Sequence, residues 1–202
     1  YGTGAFLLTN IGAAPKISAH GLATSLAWNI RGDSAFYLDG QVFTAATAVQ
    51  WLVDNDLLAS AEAIDSLPDA RGVMAAPGFA GYGAPLWKPH ATASIAGLTL
   101  SHGKGEIARA MVDGIAAQVA DLLGAIAADG VAVKELRVDG GLTQSHTLMQ
   151  MQADLAQVSI EVYPHPDATA MGVANLAAMA TNSALNLGDF ASAWKPVERY
   201  SP

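Results

Sequence analysis

The sequence predicts an α/β domain with a mixed sheet and flanking helices. Three observations lead there. The first forty residues are β-rich runs broken by turn chemistry. Residues 103 to 129 carry an apolar side chain every three or four positions, the signature of one long buried helix. From Glu135 onward strand-like and helix-like segments alternate, which favours parallel pairing through right-handed crossovers.

Tyr1–Asn10, Leu22–Ile30 and Ala35–Asp39 read as strands of a meander, separated by Gly12-Ala13-Ala14-Pro15 and Arg31-Gly32-Asp33-Ser34. Thr44 to Asp54 reads as a helix with Ala48, Val49, Trp51 and Leu52 among its buried positions. Ala59–Ser66 is a short helix that ends near Pro68, and Val73–Ala76 is a further strand. Residues 77–92, with three prolines and three glycines among aromatic residues, read as loop. In the long helix Ile107, Met111, Ile115, Val119, Leu122 and Ile126 form the stripe, and Gly130 supplies the stop. Strand Glu135–Val138, helix Gln144–Gln157, strand Ile160–Tyr163 and helix Ala168–Asn182 complete the order. The last helix is rich in small residues (Ala168, Ala170, Gly172, Ala174, Ala177, Ala178, Ala180), as expected of tight packing on a neighbour. A meander followed by helix and βαβα units suits the ribonuclease-H-like lobe of the actin-like ATPases. Residues 1–202 are expected to form one such lobe.

At 202 residues, with half of them hydrophobic, the chain can bury a full core. Its charge of −8 includes no run of lysines or arginines, so the basic surface that neutralises nucleic-acid phosphates is not expected. A nucleotide needs no such surface, because backbone amides and a magnesium ion can hold its phosphates. The sequence has no cysteine, which excludes disulfides and thiolate metal sites and fits a cytoplasmic setting. No segment reaches eighteen apolar residues without a charge or a proline, so a membrane span is not expected. The chain opens on a strand with no initiator methionine, as expected of a piece of a longer protein. His20, His90, His102, His146 and His165 lack the four-residue spacing that would pair two on a helix face, and there is no Gly-x-Ser-x-Gly elbow. Asp113 and Asp121 read as the solvated face of the long helix.

Two glycine-rich segments carry the functional signal. Leu136-Arg137-Val138 runs into Asp139-Gly140-Gly141-Leu142, and a helix opens just after it. Glycines there let the backbone approach a ligand closely, and the unpaired amides of a helix start favour anionic groups. Tyr1-Gly2-Thr3-Gly4 places a hydroxyl between two glycines at the start of a strand, where glycine often marks close approach of a ligand.

Both segments, in this order, resemble the C-terminal lobe of the FGGY carbohydrate kinases, and within that family the branch that phosphorylates glycerol. The resemblance continues through Phe43-Thr44-Ala45-Ala46-Thr47-Ala48-Val49-Gln50-Trp51-Leu52, Pro77–Trp87, Gly97-Leu98-Thr99 and Glu106–Ala110. Leu148-Met149-Gln150 and Ala168-Thr169-Ala170-Met171-Gly172 follow, all collinear to about residue 180. The resemblance implies ATP with Mg²⁺ as cofactors and a polyol or sugar as phosphate acceptor. It places Gly2 and Thr3 at the terminal phosphates, and Gly140, Gly141, Leu142 and Ser145 along the purine and α-phosphate. Ala46, Val49 and Gln50 form the opposite wall, and Phe6 packs on the carbon skeleton of the acceptor, the alternative being a core phenylalanine on the first strand. Asp139 is placed to orient the turn or to meet Mg²⁺ through water, and the last helix to lie at the hinge between lobes. The aspartate that acts as general base, with most acceptor ligands, belongs to an N-terminal lobe upstream of Tyr1, so this chain alone is expected to be inactive. Ala46 stands in place of a glycine and Ser145 in place of an asparagine, while Lys88 and Thr92 replace an aspartate and an arginine. The first two changes bear on base selectivity and the third on glycerol as acceptor. A non-catalytic actin-like nucleotide-binding module is the alternative reading, as is a decayed site that leaves an interaction domain. Association into a homo-oligomer is left open.

Overall fold

Helix α2 (Lys104–Ala128) is the element against which the domain is assembled. The computed structural model describes residues 1–165 and 167–202. Twenty-five residues at 1.5 Å rise give α2 a length of roughly 37 Å, and it packs on β1 (Ala5–Gly12), β3 (Asp33–Val42), β4 (Met74–Ala76), α1 (Ala46–Asp54) and α3 (His146–Ala156). Met111, Val112, Ile115, Ala116, Leu122 and Ile126 are fully enclosed, as the stripe in the sequence requires. By length and composition α2 could cross a membrane, but this stripe is already covered inside the domain. Two glycines set how close its neighbours come. A Cβ on Gly40 of β3 would stand 2.5 Å from Leu122, and one on Gly114 of α2 would stand 2.3 Å from the Ala75 carbonyl of β4.

The N-terminal strands form an antiparallel sheet in the order β1-β3-β2, with β2 spanning Ala23–Ile30. This corrects the meander: β3, the last strand in sequence, is the central one. Leu38, Gly40 and Val42 alternate inward along β3, and the strand is paired on both edges, by β1 and by β2. β2 and β3 join through Arg31 and Gly32, both at positive φ (54° and 91°), the geometry of a type I′ hairpin turn. A short ribbon pairs β4 with β5 (Ser94–Ala96), a strand that the sequence reading did not separate from loop. The third sheet has β6 (Glu135–Val138) parallel to β7 (Ser159–Val162), with β8 (Glu198–Tyr200) antiparallel beyond it. Arg137, Glu161 and Arg199 stand in register across these three strands, and the buried Glu161 carboxylate pairs with both arginines. The Arg137 guanidinium also lies 4.2 Å over the Trp194 ring, next to α5 (Leu187–Ala193).

Helix α4 (Ala168–Thr181) departs from expectation. Its small residues were expected to pack tightly, yet Ala170, Gly172 and Ala174 are exposed and Met179 is its buried residue. What holds its end is Arg31, whose guanidinium donates to the carbonyls of Met179, Asn182, Ser183 and Leu185 at 2.7–3.2 Å. Asp113 also differs from a plainly solvated residue: it is half-buried and bonded to Arg109 at 2.7 Å.

The C-terminal end of α2 is clasped to the β1–β2 connection. The buried Asp129 carboxylate accepts from Ser18 Oγ at 2.5 Å and from the Ala19 amide at 3.0 Å, and sits 2.8 Å from His20 Nδ1. These partners, Ser18 and His20 foremost, hold its carboxyl down at about 2. Because the folded value lies below the unfolded one, the clasp stabilises the fold above pH 4 and is lost as pH falls toward 2. Asp129→Asn should cost about 1–3 kcal/mol at pH 7 in urea unfolding, and the gap between variant and parent should narrow by pH 3. A pH-independent difference would contradict this origin.

Candidate functional site

Tyr1 joins the two halves of the predicted site. Its nitrogen donates to the Asp139 carbonyl at 2.8 Å, and its carbonyl accepts from the Leu142 amide at 3.4 Å. Its hydroxyl donates to Oε1 of the fully buried Gln152 at 2.5 Å, and Gln152 Nε2 has no partner among the described residues. The chain then turns sharply, with the Gly2 amide bonded to the Gly4 carbonyl at 2.9 Å. Tyr1–Gly4 is therefore turn rather than strand.

Gly2 and Thr3 meet α1 through their backbones. The Gly2 carbonyl accepts from Ala46, and the Thr3 carbonyl accepts from Ala45 and Thr47, at 2.9–3.3 Å. α1 has no side-chain cap, so these carbonyls satisfy the amides that a helix start leaves open. They leave the Thr3 side chain exposed. Ala46 is thus brought to Gly2 and Thr3. Val49 is 2% exposed and belongs to the core, and the Gln50 amide is bonded to Asp54 on its own helix at 2.8 Å. Val49 offers no free surface in this arrangement, whereas the Gln50 side chain is exposed.

The two glycines of the second segment play different parts. Gly140 has φ of +99°, and a Cβ there would stand 2.4 Å from the Tyr1 carbonyl oxygen. Its lack of a side chain serves the chain's own close approach. Gly141 is exposed, with nothing within 4 Å of a built Cβ. It opens a 3-10 turn, Gly141–Gln144, before α3. Gly141, Leu142 and Ser145 share a cavity of about 140 Å³ with Ala61, Glu62, Ile64 and Asp65. That is below the roughly 300–1,000 Å³ of a closed ligand pocket, so this cavity by itself does not enclose a nucleotide.

Asp65 was not singled out from the sequence. Its carboxylate accepts from Ser145 Oγ at 2.7 Å, the Thr147 amide at 2.9 Å and the His146 amide at 3.2 Å. Burial works to raise this carboxyl, and the bonds from Thr147, Ser145 and His146 outweigh it, leaving it below the ordinary value. It caps α3 together with Ser145, whose Oγ also accepts from Leu148. The Ser145 proton is thereby committed, and a contact to a base would compete with Asp65. Eighty positions separate the partners, and no local pattern announces such a pairing.

Phe6 is 65% exposed on the outer face of β1, opposite Gln41 of β3. It is not a core phenylalanine. Among the described residues no group of three acidic or histidine side chains converges on a metal position. Asp139 is the carboxylate beside the turn.

Residues 1–181 match the C-terminal domain of the FGGY family of carbohydrate kinases. A glycerol kinase of Aromatoleum aromaticum is 40% identical over 208 residues, covering all of this chain and 42% of the relative. One of Alkalilimnicola ehrlichii is 46% identical over 186 residues, covering 89% of this chain and 38% of the relative. The chain thus spans about two fifths of the length of these relatives. Among solved structures, Plasmodium falciparum glycerol kinase with ADP superimposes with a TM-score of 0.90 at 31% identity, over the whole chain and 42% of that protein. A xylulose kinase from Rhodospirillum rubrum, at 23% identity and a TM-score of 0.80, shares the fold.

The two glycines should separate in mutagenesis. Gly140→Ala combines positive φ with a clash against the Tyr1 backbone and should cost roughly 2–5 kcal/mol in chemical unfolding. Gly141→Ala meets open space and should change stability by no more than about 0.5 kcal/mol. Equal costs would mean that the Tyr1 junction is not what requires Gly140.

Proposed function

Because the chain belongs to the FGGY family of carbohydrate kinases, as its C-terminal domain, we propose that it is the nucleotide-holding lobe of an ATP-dependent polyol or sugar kinase. The reaction moves the γ-phosphate of ATP, with Mg²⁺, to a hydroxyl of glycerol or a related acceptor. The observation that carries this reading is the junction at Tyr1. It draws Gly2 and Thr3 to the start of α1 and sets Gly141 beside the cavity that Leu142 and Ser145 line. Identity of 40% with a glycerol kinase along the whole chain supports glycerol as the acceptor class.

Within this reading the Thr3 hydroxyl and nearby amides receive the terminal phosphates, while Gly141 admits the purine side of the nucleotide to the cavity wall. Phe6 offers an apolar surface to the acceptor's carbons. Phosphoryl transfer rests on positioning and charge stabilisation more than on covalent help, and these residues supply positioning. The base that takes the hydroxyl proton and the second wall of the cleft come from an N-terminal lobe. Closure of the two lobes excludes water and aligns the acceptor.

The 202-residue chain should therefore show no turnover of glycerol with ATP; robust phosphorylation by a homogeneous sample would overturn the two-lobe reading. Thr3→Val tests the phosphate side by calorimetric titration. The Thr3 backbone, not its side chain, caps α1, so the turn survives the change. A lost hydrogen bond to a charged acceptor corresponds to about 1.5–3 kcal/mol, so ADP and ATP should weaken by roughly ten-fold or more while AMP is unchanged. Equal loss for AMP and ATP would mean a disturbed fold, and no loss for any of them would remove Thr3 from the site.

A further inference from the structure

The cavity beside Gly141 carries an uneven set of polar groups. Ile64 and Leu142 give it an apolar floor, at 1% and 6% exposed, and its polar side chains are Glu62, Asp65, Gln144 and Ser145. Ser145 has one proton to give, and it goes to Asp65 Oδ1 at 2.7 Å. The Ser145 oxygen already receives the Leu148 amide at 3.1 Å, so toward a ligand it can act only as an acceptor. The Asp65 carboxyl lies below its ordinary value and is ionised at neutral pH, which makes it acceptor-only as well. Glu62 is a further carboxylate, exposed at the rim. Gln144 is exposed and can turn either end of its amide to a ligand. The side chains fixed by bonds within the protein are therefore acceptors.

Asp65 has capacity left after its work on α3. Its Oδ1 accepts from Ser145 and the Thr147 amide, and its Oδ2 accepts from the His146 amide at 3.2 Å. A carboxylate offers about four lone-pair sites, so these three bonds leave Oδ2 room for one more donor. They also anchor the group at the cavity wall. An anchored carboxylate discriminates: it bonds an N–H placed there and repels a carbonyl oxygen in the same position. Purines differ at the 6-position in this respect, where adenine carries an amino donor and guanine or hypoxanthine an oxygen acceptor. We propose that Asp65 selects the nucleobase, its Oδ2 accepting from the 6-amino group of adenine and, with Ser145, turning away 6-oxopurines. This rests on the nucleotide-lobe reading above. An asparagine at position 145 would present a donor as well as an acceptor and could serve either kind of base. The Ser145–Asp65 pair presents acceptors alone, so the same change that removed an amide made the wall selective.

Calorimetric titration of the longer, two-lobe protein with ADP, IDP and GDP tests the proposal. ADP should bind roughly ten-fold or more tightly than IDP, as a hydrogen bond to a charged acceptor allows, and GDP should behave as IDP. Asp65→Asn keeps one oxygen for Ser145 and the Thr147 amide but puts an NH2 group in place of the other. It should bring ADP and IDP within about three-fold of each other. Loss of the α3 cap alone would weaken both nucleotides by the same factor, so the ratio separates selection from packing. Should that variant fail to fold, Ser145→Asn keeps a competent cap, restores a donor beside the base and should tighten IDP toward ADP. Equal binding of ADP and IDP by the parent protein would overturn the proposal. So would tighter binding of GDP than of ADP, or an ADP preference that survives both substitutions. A parent protein that binds none of the three would remove the nucleotide-lobe reading, and this proposal with it.

Discussion

One residue holds the two larger sheets in register with each other. Tyr1 reaches β6 through its backbone and α3 through its hydroxyl, and it feeds the turn whose carbonyls cap α1. Gly140 is the complement that makes this possible, since any side chain there would displace the Tyr1 carbonyl. The placement of every candidate nucleotide contact follows from this crossing. Thr3 and Gly141 come from distant parts of the sequence, and the Tyr1 backbone brings their segments together. The site is thus built from backbone geometry first and side-chain chemistry second.

The cavity that Gly141 shares with Ser145 is small. Under the proposed reading a lobe that supplies positioning has no need of a closed pocket, and its polar groups satisfy one another in the absence of a ligand. Ser145 and Asp65 do so at the start of α3, and the Gly2 and Thr3 carbonyls do so at the start of α1. The exposed candidates are then Gly2, the Thr3 and Gln50 side chains, Gly141 and the ring of Phe6. On the two-lobe proposal, a second wall would complete the cleft without the first having to be rebuilt.

Much of the fold was legible in the sequence where periodicity is long. The α2 helix spans about seven turns, and β6 was bounded correctly because Gly140 and Gly141 punctuate its end. Elements of three residues, β5 and β8, carry no period to read, and their pairing is fixed by partners far along the chain. The order β1-β3-β2 was missed for the same reason: which strand becomes central depends on both edges being covered, not on local propensity. In the site, the glycine segments were found because glycine is a direct statement about backbone. The division of labour between Gly140 and Gly141 and the role of Asp65 depend on contacts across tens of residues, and the sequence has no local mark for them.

The hairpin tip at Arg31 and Gly32 shows local and distant demands pulling in opposite directions. Its backbone conformation suits asparagine or glycine far better than arginine. Yet a shorter side chain could not gather the four carbonyls at the end of α4, a helix with few buried contacts of its own. The strain borne by one residue in the hairpin is thus the condition for order in a helix about 150 positions away. Improving the turn by its own rules would loosen the far end of the molecule, so this position is one where a locally optimal consensus residue and a stable protein are different answers.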